Sequence, residues 1–89
     1  MQPSVGRIVH YRLQPWEAAE IMRRRAETHG YQAMPVSIGT ALPAIVVEAH
    51  GGSMLGLHVL LNGPDSFWTQ SGSEGEGDGM WSWPPREEG

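Results

Sequence analysis

"PAIVVEAHGGSMLGLHVLLNGPD", Pro43 to Asp65, is the stretch on which the fold turns. Two runs rich in β-branched and aliphatic residues, Pro43–Ala49 and Met54–Leu61, flank His50-Gly51-Gly52-Ser53. Adjacent glycines between such runs are a hairpin signal, because a tight reversal demands backbone angles that a Cβ opposes. In the second run Leu55, Leu57, Val59 and Leu61 recur at every second position, so they share one strand face and read as core, while His58 alternates away. Asn62-Gly63-Pro64-Asp65 then supplies another turn, since proline has no N–H to give to a ladder. Two strands and two turns in succession begin a meander, and Ser66–Gln70 is expected as its next, short strand.

Upstream, Val5–Leu13 alternates, with Val9, Tyr11 and Leu13 on one face and Ile8, His10 and Arg12 on the other, which predicts a first strand. Pro15 suits the first turn of a helix; Glu17 and Glu20 complement its positive end, Arg23-Arg24-Arg25 its negative end, and His29-Gly30 stops it. One helix over residues 15–29 follows, with Glu20 four residues from Arg24 and a narrow apolar stripe of Trp16, Ala19 and Met22 or Ile21 expected to face the core. Residues 31–42 carry Pro35 and Gly39 without a sustained period and read as a surface connection. Downstream, residues 71–79 alternate glycine with acid or serine and are expected to form a loop. Met80–Trp83 is a fifth strand, stopped by Pro84-Pro85. The order matches a small, mainly β (α+β) domain spanning residues 1–89: an SH3-like, partly open five-stranded β-barrel with one helix inserted after the first strand. An OB-like or roll topology is the alternative.

Composition narrows the function. The chain has 89 residues, 39% of them hydrophobic and 18% charged, and no apolar run approaches the ~20 residues a bilayer span requires. A chain of this size buries only about 60–65% of its unfolded surface, so the core is thin. There is no cysteine, which removes disulfides and thiolate chemistry together. All six basic residues are arginine and the net charge is −4, a poor balance for gripping phosphate backbones, so nucleic acid is not an expected partner. Residues 1–6 lack a basic region followed by an apolar one, which argues against a secretory signal and for the cytoplasm.

The "GRIVHY" of Gly6–Tyr11, the Arg23–Arg25 run, "PAIVV" of Pro43–Val47, "VLLNGPDSFW" of Val59–Trp68 and the Trp81-Ser82-Trp83-Pro84 terminus occur in an ordered series. That series resembles a group of small, mostly uncharacterised proteins encoded by tailed phages and prophages of actinobacteria. The resemblance extends over nearly the whole chain; where that group usually carries histidine between the tryptophans, this chain has Ser82. It implies a viral, high-GC origin, consistent with the absence of lysine, and no particular activity.

Trp81 and Trp83 share a strand face, and one of them is expected to complete the core while the other is open to contact. With Trp68 and Tyr11 they are the candidate stacking residues; Arg7, His10, Arg12 and Arg86 are the candidate anion-binding residues, arginine because its planar fork grips carboxylate or phosphate. His10, His29, His50 and His58 are scattered without ligand spacing, so no metal is expected, and no cofactor. Ser53, Ser66 and Ser71 lie in no nucleophile elbow, and Glu74, Glu76 and Asp78 sit in a solvated run rather than in a pocket of opposed environments, so no enzyme is expected. The function expected is therefore a non-enzymatic, phage-encoded accessory binding protein in the host cytoplasm. It would act as a counter-defence factor that sequesters a nucleotide-like signal, a small anionic ligand, or that binds a host protein. The alternative is a structural virion protein, a capsid decoration or head-tail component meeting other virion proteins, with a homo-oligomer left open.

Overall fold

The structure, a computed structural model, describes residues 3–28, 39–61 and 65–85. Its elements in chain order are β1 (Ile8–Arg12), α1 (Pro15–Thr28), β2 (Ala41–Ala49), β3 (Leu55–Leu60), β4 (Ser66–Glu74) and β5 (Met80–Ser82). The strands form a closed barrel in the order β1-β2-β3-β4-β5, and β5 returns to β1. The SH3-like, five-stranded architecture follows the sequence pattern; the expected partial opening does not, because β5 pairs on both sides. It runs antiparallel to β1, with Tyr11 opposite Trp81, and parallel to β4, with Ser73 opposite Met80 and Glu74 opposite Trp81.

A parallel pairing usually needs a crossover of a dozen residues or more. Here only residues 75–79 separate β4 from β5, and Gly79 supplies the left-handed backbone turn that brings the chain into β5. A Cβ on Gly75 would collide with the Met80 thioether. Gly79 has a φ of +77°, and its N–H donates to the Arg12 carbonyl at 2.6 Å. The Gly and acid run is thus shorter than expected: Ser71–Glu74 belong to β4, and only residues 75–79 are loop. Likewise Ala41 and Leu42, expected in a connection, open β2, while residues 31–38 lie outside the described residues.

The alternations of β1 and β3 place Val9, Tyr11 and Leu13 with Leu55, Leu57, Val59 and Leu61 in the core. The helix ends at Thr28, its expected last residue His29 being outside the described residues. Of its expected apolar stripe only Ile21 turns inward. Glu17, Ala18, Ile21 and Arg25 are buried, whereas Trp16 is 60% exposed and Ala19 and Met22 also face outward. The reason is that both buried charges are satisfied. The Glu17 carboxylate accepts the Tyr11 hydroxyl at 2.9 Å and the Gln14 backbone N–H at 2.8 Å, the second contact closing half of a capping box at the helix start. The Arg25 guanidinium, expected on a solvated helix end, is only 3% exposed and grips Asp65 with both arms of its fork, Nε to Oδ2 at 2.7 Å and Nη2 to Oδ1 at 2.8 Å. The outward face carries the expected Glu20–Arg24 pair at 2.8 Å and adds an Arg23 bridge to Glu20 and Glu27.

Candidate functional site

Strand register decides which outward side chains meet. Ile8 on β1 lies opposite Ile45 on β2, Ile45 opposite His58 on β3, and His58 opposite Trp68 on β4. Their immediate neighbours Val9, Ala44, Val59 and Phe67 are buried, so these four residues form one row across the outside of four strands. Its ends are open: Trp68 is 57% and Ile8 46% exposed. His58 is anchored within the row by a 2.6 Å hydrogen bond between its Nε2 and the Ser66 hydroxyl.

Beside Trp68 the surface dips into a shallow cleft of about 130 Å³ lined by Val47, Glu48, His50, Trp68 and Gln70. Sequence neighbours in a regular strand face opposite ways, yet Val47 and Glu48 both line it. A bulge makes this possible: the β2–β3 register slips between Val46 and Glu48. His50, just past the end of β2, faces both β2 and β4, Nδ1 at 3.0 Å from Glu48 Oε1 and Nε2 at 3.1 Å from the Gln70 carbonyl.

The residues singled out from sequence fall into three places. Trp81 and Tyr11 are interior, each 1% exposed, and offer no face to a ligand. Trp83 is half-buried and stands edge-on to Trp81, with ring centroids 5.6 Å apart at 90°. Arg7 covers it, its guanidinium carbon 5.8 Å from the ring centroid. On the outer side of the same seam His10 lies opposite Ser82, and Arg12 Nη1 donates to the Ser82 hydroxyl at 3.5 Å. Trp68 belongs to the β4 row and is held away from this seam by the register, so the four aromatic candidates do not form one platform. Arg86 lies outside the described residues. Sequence reading missed Ile8, Ile45 and His58 as a group, because which residues lie side by side depends on register. It missed the cleft because nothing in "IVVEAH" marks a bulge.

Tyr11 has a chemical signature of its burial. Loss of water, and then the hydrogen bond to Glu17, push its hydroxyl from 10.0 up to about 12. A raised folded value means that the folded state holds its proton more tightly. The resulting stability is complete below pH 10 and is lost as pH rises from 10 towards 12. The loss is expected to reach about 2–3 kcal/mol, seen as a falling urea midpoint between pH 9 and pH 12. Tyr11→Phe should abolish that part of the slope; an unchanged slope would show that Tyr11 is not its source.

Among the described residues no cluster of three or more His, Asp or Glu is placed to hold a metal ion, and no helix is long and apolar enough to cross a membrane. No protein-family model, no curated protein and no solved structure matches the chain.

Proposed function

We propose that the chain is a non-enzymatic accessory binding protein that acts by docking a protein partner on the outer face of β1–β4. The observation that carries this is the solvent-open row Ile8–Ile45–His58–Trp68. A large aromatic in line with a histidine and two isoleucines on a hydrogen-bonded sheet has the make-up of an interface hot spot, since burying it against a partner releases water without ordering flexible chain. At the cleft beside Trp68 a small-molecule receptor is less well supported. Ligand pockets enclose roughly 300–1,000 Å³, and the cleft beside Trp68 holds about 130 Å³. The resemblance to actinobacterial phage proteins suggests a host protein as the partner and the host cytoplasm as the place. The virion alternative draws on a short core, an exposed strand edge and a glycine-rich loop, and of these the described strands, closed into a barrel, do not supply the edge.

The nucleotide-sequestering reading keeps one specific observation, the Arg7–Trp83 stack, which joins a cation to a ring as an anionic base would require. One experiment separates the two. Tagged chain is expressed in an actinobacterial host, and the proteins retained are quantified by mass spectrometry for wild type, Ile8→Glu, Trp68→Glu and Arg7→Ala. All three sites are exposed, so folding should persist. A partner retained by wild type and Arg7→Ala but reduced about 30-fold in either glutamate variant is expected, the scale of a lost hot spot. Identical retention in all four sinks the docking reading; calorimetry with cyclic nucleotides then tests the Arg7 seam directly.

A further inference from the structure

We propose that the cleft between the β2 bulge and β4 is a receptor for a cationic side chain, a guanidinium or ammonium group that the docking partner presents; for the source of that cation the proposal rests on the docking reading above. Three features of the cleft select a cation. It is lined by the exposed Trp68, and an indole face carries the negative part of the ring quadrupole and attracts positive charge. Its one carboxylate is Glu48, and no arginine lines it, so the only full negative charge at the cleft faces a cation with His50 as its single basic neighbour there. The bulge is what sets carboxylate and Val47 side by side, giving an aliphatic strip for the methylene stem of a long basic residue next to the charge that receives its head.

His50 is a positioning residue here. Its Nδ1 lies 3.0 Å from Glu48 Oε1 and, carrying the ring hydrogen, holds the 66% exposed carboxylate in place, while Nε2 lies 3.1 Å from the Gln70 carbonyl on β4, two places along the barrel. The carboxylate is thereby ordered before the cation arrives, which lowers the cost of binding. The net charge of −4 adds a long-range pull on a basic partner.

The test uses the intact chain and the peptide N-acetyl-Gly-Arg-Gly amide, with the neutral citrulline peptide as control. Indole N–H signals of the ¹⁵N-labelled protein report binding, with Trp68 assigned through Trp68→Phe. The arginine peptide is expected to shift the Trp68 signal saturably at millimolar concentration, with the citrulline peptide about fivefold weaker and Glu48→Gln weakening the arginine peptide by a similar factor. Equal affinity for the two peptides, indifference to Glu48→Gln, shifts centred away from Trp68, or no saturable shift each overturns the proposal. Ile8→Glu, at the far end of the row, separates the two readings: it should abolish partner docking and leave the peptide response unchanged. Loss of the peptide response with docking intact removes the cation receptor alone.

Discussion

Trp81→Ala is expected to cost about 3–5 kcal/mol, a large part of the 5–10 kcal/mol that a domain of this size typically holds. Trp81 is among the largest fully buried side chains, and it sits where the barrel closes, paired with Tyr11 on one side and Glu74 on the other. Its indole N–H donates to the Ser53 carbonyl at 2.8 Å, so truncation also removes a hydrogen bond that ties β5 to the β2–β3 turn. The cavity left cannot collapse easily, because the walls are strands locked to one another by the ladder. Trp83→Ala should differ in kind. That ring is half-buried, edge-on to Trp81 and capped by Arg7, and its loss should cost about 1–2 kcal/mol. Urea unfolding followed by far-ultraviolet circular dichroism measures both. Equal losses would refute the division between a core tryptophan and a peripheral one.

That division was legible in the sequence, since a period of two placed Trp81 and Trp83 on one face beside proline, and a thin core admits one such ring more easily than two. The barrel order was legible for a related reason. Short turns force neighbouring strands to pair, and "HGGS" leaves β2 and β3 no other partner at that distance. Closure was not legible, because it depends on a five-residue link making a parallel pair, with Gly79 in a left-handed turn just before β5. The helix orientation was hidden for an energetic reason. Apolar periodicity weighs Trp16 and Met22 above Glu17 and Arg25, yet a buried charge with a complete set of partners can outrank an aromatic that finds a partial cover. Trp16 takes that cover from Phe67, edge-on at 6.4 Å, while its N–H reaches the Gln14 side chain. The site was divided in the same way: Trp68 could be named from sequence, but the residues beside it came from register and a bulge.

Asp65→Ala is expected to be the second severe substitution, at about 3 kcal/mol. That is the lower end of the cost of breaking a buried pair, because Asp65 keeps 22% exposure and water can partly replace it. The loss arises less from the attraction removed than from the guanidinium left behind, which was desolvated to 3% exposure in the geometry of a bidentate acceptor. A double variant distinguishes these causes. If the burial of Arg25 is the cost, Arg25→Met combined with Asp65→Leu should recover most of the stability, because an apolar pair of similar volume needs no partner. If the bridge were instead strongly favourable in itself, the double variant would be as unstable as the single one. The position of the pair adds a second, spatial expectation. It connects the middle of the last helical turns to the residue that precedes β4, two positions before Phe67 and three before Trp68. Amide exchange in Asp65→Ala should therefore accelerate in α1 by more than tenfold over its acceleration in β3, a local release of the helix from the barrel. In Trp81→Ala the acceleration should be similar in both, since there the closure itself is lost. Uniform exchange in Asp65→Ala would mean that the helix and the barrel open as one unit, and that the Arg25–Asp65 contact supports the whole domain rather than the attachment of α1.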